Sequence, residues 1–153
     1  CSVTGTVGSH SGDPADLHGH GTHVAGIIAS TAFNNYGGVG VAFGVQVMPI
    51  RAAQYSGDLA TTDIAEGILY AVDNGAEVIN MSFGGTQNSQ VVADALQVAL
   101  GQAVLVAAAG NDGSMTPHYP AAFHYVLGVM SCDPSGQRSW FSNQSGDVMA
   151  PGE

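Results

Sequence analysis

The chain has 153 residues, enough for one domain or part of one, and its 45% hydrophobic content is sufficient for a sizeable core. Charged residues make up only 9%, against a usual share of about a quarter, and Arg51 and Arg138 are the only strong cations beside twelve carboxylates. The formal net charge of −10 argues against nucleic acid and anionic membranes as partners, and no apolar run approaches the length of a membrane span.

The first third of the chain is predicted to form a loop, a helix, a turn and a strand. Residues 1–15 are rich in Gly, Ser and Asp, a composition typical of a loop. A helix is expected to begin near His20 and to run through small apolar residues to Ser30. Residues 34–38 predict a second turn, and the short apolar run at 45–50 predicts a strand.

From residue 62 onward, the spacing of apolar residues predicts alternating helices and strands. The predicted helices span residues 62–74 and 89–100, and the predicted strands span residues 78–82, 103–109 and 125–130. The strand at 103–109 is apolar throughout, as expected for a strand buried on both faces. Strands that alternate with helices over short connections form a parallel sheet covered by helices on both sides. The predicted fold class is therefore α/β, with three layers, α/β/α, around a mainly parallel sheet.

The most informative run is residues 16–26, Asp-Leu-His-Gly-His-Gly-Thr-His-Val-Ala-Gly. Glycines on both sides of His20 allow a tight turn and leave its imidazole uncovered at the start of the predicted helix. A neutral, accessible imidazole is the group that general base catalysis needs near neutral pH. The spacing of His18, His20 and His23 is also compatible with a metal site. A glycine-rich loop with incidental histidines is a third interpretation.

Two glycine-rich segments follow predicted strands, at residues 82–85 (Ser-Phe-Gly-Gly) and 108–111 (Ala-Ala-Gly-Asn). If the two strands are neighbours, both segments open onto the same edge of the sheet, where parallel sheets collect their chemistry. Glycine there allows a substrate backbone to approach closely. The Asn111 carboxamide can donate to an oxygen that becomes negative as a carbonyl turns tetrahedral. In the alternative interpretation, Asn111 has a purely structural role, because asparagine tolerates the left-handed backbone conformation of a turn.

Residues 16–26 closely resemble the histidine motif of the subtilisin-like serine peptidases, and residues 107–111, Ala-Ala-Ala-Gly-Asn, are similar to the oxyanion segment of that family. The resemblance implies an incomplete subtilisin-like fold and a serine endopeptidase that acts on polypeptides, with His20 and Asn111 as catalytic residues. It also implies a cleft that binds an extended peptide by strand addition. The implied substrate-binding residues are Gly57, Asp58, Leu59, Ser82, Phe83, Gly84, Ala108, Ala109 and Gly110.

The same resemblance implies a pocket for the first substrate side chain between the two glycine-rich segments. Small side chains at Ala108 and Ala109 should leave room there for a sizeable substrate side chain. His118 should line the floor of this pocket, just before a cis peptide bond to Pro120. Asp112, near the mouth, should modestly favour cationic substrates.

The implied reaction requires no cofactor. Asn34 and Asn35 resemble a calcium-binding loop in some members of the family, so a structural calcium ion is one interpretation and an ordinary turn is the other. Cys1 and Cys132 form either a disulfide or two free thiols, and two cysteines at distant positions do not decide between them.

The resemblance extends from about Asp16 to Gly152, yet the family's triad has the chain order Asp, His, Ser and this stretch supplies its histidine alone. Asp13 and Asp16 lie in the leading loop, and no serine stands in a Gly-Thr-Ser-Met-Ala motif. We therefore expect residues 1–153 to be the inner part of a single peptidase domain, truncated at both ends and inactive by itself. The longer parent protein is expected to be an active, monomeric, secreted endopeptidase.

Other functions are also considered. A peptide-binding relative would keep the cleft without the nucleophile, and the parental sequence beyond Glu153 would reveal it. A metal-dependent hydrolase would use the three histidines of the 16–26 run and hold stoichiometric zinc. A dinucleotide site at the glycines of residues 38–42 is disfavoured, because they precede a predicted strand instead of following one.

Overall fold

The computed structural model of the protein describes residues 15–54 and 56–153. Predictions for the loop at 1–14, including those for Cys1 and Asp13, lie outside the described residues. The elements of the described part are α1 (His20–Ala29), α2 (Thr61–Asp73), β1 (Val78–Met81), α3 (Gln90–Ala99), β2 (Val104–Ala108), β3 (Leu127–Cys132) and β4 (Val148–Pro151). Over these residues, none of the helices has the length and apolar character that crossing a membrane requires.

The four strands form one sheet in the order β1-β2-β3-β4, and all three neighbouring pairs are parallel. Met81 at the end of β1 lies opposite Ala107 in β2, and Ala108 lies opposite Val129 in β3. Parallel pairing brings the carboxyl ends of the strands to the same edge of the sheet. The predicted α/β class with a parallel sheet is confirmed.

Helices α2 and α3 pack on each other and share one core with β1 and β2. Each helix has apolar residues at spacings of three and four, so that one stripe faces inward. Ile68 of α2, Leu96 of α3, and Ile79 and Met81 of β1 are fully buried at the centre of this layer. The two helices predicted for this region are confirmed, with bounds that shift by one residue.

The opposite face of the sheet is less covered by the described residues. In β2, Leu105 and Ala107 are buried whereas Val104 is 56% exposed, an alternation expected when one face of a strand meets the core. Val78 in β1 and Leu127 in β3 are exposed as well. The prediction that β2 is buried on both faces is wrong for the described part of the chain, because α2 and α3 both pack on the side of Leu105 and Ala107.

Two further strands differ from the prediction. Residues 45–50 form no strand apart from a single bridge at Ile50, since a strand needs a neighbour for its backbone hydrogen bonds and β1 pairs with β2 alone among the described residues. The sequence does not predict β4, because four residues that include Pro151 carry little strand signal. At the edge of a sheet, the missing N–H group of a proline is tolerated.

The carboxyl end of α1 is held by the segment that follows the predicted turn. Asn34 Oδ1 accepts the N–H of Tyr36 at 3.0 Å and confirms that turn. Residues 40–42 then donate backbone hydrogen bonds of 2.8–3.0 Å to carbonyl groups at the end of α1. A Cβ atom at Gly40 would collide with the backbone of residues 29–30, so this approach requires glycine. The arrangement fixes α1, and with it the position of His20.

Replacing Ile68 with alanine tests the α2–α3 core. Ile68 is fully buried, so we expect the Ile68→Ala variant to lose about 2–5 kcal/mol of unfolding free energy, since the cavity cannot fully collapse. Val98→Ala on the exposed side of α3 serves as control and should change stability by less than about 0.5 kcal/mol. Urea unfolding followed by circular dichroism measures both, and similar losses in the two variants would contradict this packing.

Candidate active site

Asp16 holds the turn that presents His20 as the first residue of α1. One of its carboxylate oxygens accepts the N–H groups of His18 and Gly19 at 2.9 and 2.8 Å, and the other accepts the N–H and hydroxyl groups of Thr22 at 2.7 and 2.8 Å. These hydrogen bonds, led by the one from the Thr22 backbone, hold the pKa of Asp16 well below its usual value. A carboxylate engaged in this way caps the helix and does not orient the His20 ring.

The imidazole of His20 contacts the end of β1. Its Nε2 atom lies 2.8 Å from the carbonyl oxygen of Ser82. Because a carbonyl oxygen can only accept, Nε2 carries the hydrogen of this bond. Among the described residues, no hydroxyl or carboxylate group is hydrogen-bonded to the His20 ring.

Seven of the predicted site residues line one cavity of about 390 Å³. They are His20, Gly57, Asp58, Leu59, Ser82, Phe83 and Gly84. Residues 56–59 form one wall, and residues 82–84 at the exit of β1 form the other. The first wall is folded on itself, with the Gln54 N–H donating to the Asp58 carbonyl at 2.9 Å and the Ser56 hydroxyl to the Asp58 carboxylate at 2.7 Å.

A second cavity, of about 360 Å³, continues the first, and residues 57–59 and 83–84 line both. Beyond these shared walls it reaches apolar side chains, among them Ile64 of α2, Val92 of α3 and Phe123. We call the two cavities together the cleft. A groove of this kind, with backbone segments on both sides, suits an extended chain that adds its own backbone hydrogen bonds.

The remaining predicted residues follow the neighbouring strand, β2. Ala108 is half-buried, Ala109 and Gly110 are buried, and Asn111 is exposed. None of the four lines the cleft. Since β1 and β2 are parallel neighbours, Asn111 leaves the sheet at the same edge where His20 contacts β1. The catalytic and binding roles of these residues stay predictions.

The loop that carries Asn111 is held by Asn143, a residue that the sequence analysis does not identify. Asn143 is 1% exposed, and its carboxamide bonds to backbone groups of residues 109–114. No local motif marks it, because its partners lie about thirty positions earlier in the chain. A polar residue between Ser142 and Gln144 is equally typical of an exposed turn.

His118 occupies the space between the two glycine-rich exits. A Cβ atom at Gly84 would lie 2.6 Å from the ring carbon Cδ2 of His118, and one at Gly110 would lie 2.9 Å from Cγ. The Nδ1 atom of the ring is buried and has no hydrogen-bond partner. The expected cis bond between Tyr119 and Pro120 is present. The imidazole of His118 therefore lies close to both glycines, in the region where the pocket for the first substrate side chain is expected.

The metal interpretation of the histidine run finds no support in the described residues. No group of three or more His, Cys, Asp or Glu side chains there is arranged to hold a metal ion. His18 and His20 line the cleft, whereas His23 does not. Within the same part of the chain, Cys132 is a free thiol; its suggested partner, Cys1, lies outside it.

Replacing Asp16 with alanine tests the cap of α1. Because the pKa of Asp16 is lowered by folding, its contribution to stability is present above the unfolded carboxyl pKa of about 3.9 and is lost as the pH falls below that value. We expect Asp16→Ala to reduce the unfolding free energy by about 0.5–1 kcal/mol at pH 7, and by less at pH 3.

Asp63→Ala is the control for this prediction. Asp63 also lies in the first turn of a helix, but within residues 15–54 and 56–153 its carboxylate bonds only to the Thr62 hydroxyl, at 3.4 Å. Its removal should therefore alter stability by less than about 0.5 kcal/mol. Urea unfolding at both pH values measures the difference, and an Asp16→Ala effect that does not depend on pH would contradict the assignment.

Comparisons with known proteins identify the family. The model of the subtilase family matches residues 5–153. A thermophilic serine proteinase of Bacillus sp. (strain AK1) is 42% identical over 143 residues, which cover 92% of this chain and 36% of that protein. The minor extracellular protease Epr of Bacillus subtilis (strain 168) is 38% identical over 148 residues, which cover 94% of this chain and 23% of that protein.

The solved structure of the prenylagaramide maturation protease PagA superposes with a TM-score of 0.82 at 32% identity, covering 99% of this chain and 61% of that one. The chain thus spans about a third and about a quarter of the two curated relatives. A family match over nearly the whole sequence, together with this fold, shows that the chain belongs to the subtilase family.

Proposed function

We propose that the protein containing this chain is a serine endopeptidase of the subtilisin type, which hydrolyses polypeptides. The observation that carries the proposal is the position of His20, which lines the cleft and whose Nε2 contacts the Ser82 carbonyl in one of its walls. A peptide bound between residues 57–59 and 82–84 as an added strand would bring its backbone to this imidazole. Membership of the subtilase family supports the same activity.

In this proposal, His20 takes the proton of the attacking serine and returns it to the leaving amine. Asn111 donates a hydrogen bond to the oxyanion of the tetrahedral intermediate. The serine and the triad aspartate belong to parts of the protein outside these 153 residues, an interpretation that the greater length of the relatives supports. The His20 ring must leave the Ser82 carbonyl, because Nε2 cannot act as a base while it donates to that oxygen.

We propose that the protein acts outside the cell, because the related protease Epr of Bacillus subtilis is an extracellular protease by name. That it acts as a monomer stays a prediction. A structural calcium ion at Asn34 and Asn35 is also a proposal. The Asn34 side-chain oxygen already accepts the N–H of Tyr36, and Ca²⁺ takes six to eight oxygen ligands. The turn alone therefore supplies too few oxygen ligands for a complete calcium site. No step of the proposed reaction involves the ion.

Casein hydrolysis tests the proposed activity. The 153-residue chain should cleave no casein, and the longer natural protein should cleave it in a reaction blocked by a serine-directed reagent. In the longer protein, His20→Ala should reduce hydrolysis to near background, and Asn111→Ala should lower kcat by about 10²–10³, a magnitude known for subtilisin itself. A double substitution of the exposed Val91 and Val98 to alanine is the matched control and should retain activity.

Other results would favour the alternatives. Robust cleavage by the 153-residue chain would contradict the dependence on a serine elsewhere. Binding of peptides by the longer protein without cleavage would indicate a non-catalytic relative, and stoichiometric zinc would indicate a metal-dependent hydrolase.

From the position of His118, we further propose that the pocket for the substrate side chain on the acyl side of the cleaved bond is shallow. Its ring fills the space between Gly84 and Gly110, so substrates with a small side chain there should be preferred. In the longer protein, His118→Ala should raise kcat/KM for a phenylalanine peptide relative to an alanine peptide by at least about tenfold.

His124→Ala is the control for this pocket, because the His124 ring packs against Tyr125 and does not line the cleft. Its ratio of phenylalanine to alanine peptide cleavage should equal that of the unmodified protein. An unchanged ratio in His118→Ala would contradict the shallow pocket and would leave the proposed peptidase activity intact.

A further inference from the structure

Asn143 is tied to the loop after β2 by hydrogen bonds at both ends of its carboxamide. Its Nδ2 donates to the Ala109 carbonyl at 3.0 Å, and its Oδ1 accepts the N–H groups of Asp112 and Ser114 at 2.9 and 3.0 Å. The Asn143 backbone N–H also donates to the Gly110 carbonyl at 2.9 Å. The Asn143 side chain is only 1% exposed, so its carboxamide is shielded from bulk water.

The four bonds bracket Asn111. Two go to the carbonyl groups of Ala109 and Gly110 before it, and two come from the N–H groups of Asp112 and Ser114 after it. No described residue bonds to the exposed carboxamide of Asn111 itself. Gly110 has a φ angle of 104°, and a Cβ atom there would overlap the Asn143 amide nitrogen. The loop thus wraps closely around Asn143, and the direction in which Asn111 leaves it follows from these contacts.

Asn143 is itself held against β3. The hydroxyl of the preceding residue, Ser142, accepts the N–H of Ser131 at 3.0 Å. Gln144 donates its backbone N–H to the Ser114 carbonyl at 2.9 Å. These contacts join β3 through Ser142, Asn143 and Gln144 to the loop that carries Asn111. Alanine at position 143 would remove both ends of the carboxamide and take these partners from the backbone groups of Ala109, Asp112 and Ser114.

We propose that Asn143 is a positioning residue that fixes the carboxamide of Asn111 for the oxyanion. This inference rests on the proposed function, because it assumes that Asn111 donates to the reacting carbonyl. Asn143 touches neither substrate nor reacting atoms and acts through Asn111 alone. A displacement of about 1 Å in a catalytic group can lower turnover about 10²-fold, so the effect should fall mainly on kcat.

The test compares variants of the longer natural protein on one peptide substrate. Asn143→Ala should lower kcat by about 10- to 100-fold and change KM by less than about threefold. Asn143→Ser, which keeps one polar group, should fall between this variant and the unmodified protein, and it carries the test if the alanine variant does not fold. Ser139→Ala is the matched control: Ser139 is equally buried, but its hydroxyl bonds to Ser131 and not to the loop.

A double-mutant cycle separates positioning from general destabilisation. If Asn143 acts through Asn111, Asn143→Ala should lower kcat by no more than about threefold in an Asn111→Ala background. An equal loss in both backgrounds, or a loss in Ser139→Ala as large as in Asn143→Ala, would overturn the proposal.

Amide hydrogen exchange of the same proteins without substrate provides a readout that needs no activity. Exchange of the Asp112 and Ser114 amides should be at least about fivefold faster in Asn143→Ala than in Ser139→Ala. Equal exchange rates would overturn the positioning role. If the unmodified protein hydrolyses no peptide, the proposed function fails, and the exchange rates still decide whether Asn143 orders the loop.

Discussion

The parallel pairing of β1 and β2 is the constraint on which the rest of the structure depends. With Met81 opposite Ala107, the two strands end at the same level, and the chain leaves the sheet twice at one edge. His20 reaches the first exit through the Ser82 carbonyl, while Asn111 follows the second. A slip of one residue in this register would turn the buried side chains of β2 away from α2 and α3. Core packing and the placement of the site are therefore set by the same pairing.

The sequence predicts those parts of the fold whose signal is local. Helices α2 and α3 have apolar stripes, and β1 and β2 have short apolar runs bounded by turns, so each was identified within a residue or two. The histidine run at residues 16–26 was equally clear, because glycine on both sides of His20 and the small apolar residues that follow are neighbours along the chain.

What the sequence could not predict depends on contacts between distant positions. The strand expected at residues 45–50 lacks a partner among the described residues, and β4 exists because β3 pairs with it. The His118 ring enters the space beside Gly84 because Tyr119 pairs with Gly85. The sequence analysis places His118 at the floor of that space. How closely the ring approaches Gly84 has no local signal, because Gly84 lies more than thirty residues earlier in the chain.

One consequence follows from the contact between His20 and the Ser82 carbonyl. The oxygen that engages the imidazole belongs to the segment that forms a wall of the cleft. As long as this bond persists, Nε2 of His20 keeps its hydrogen and cannot accept a proton. The same bond gives the imidazole a defined resting orientation. For the proposed peptidase, Nε2 must change from donor to acceptor: it stops donating to the Ser82 carbonyl and accepts the hydrogen bond of the reacting hydroxyl.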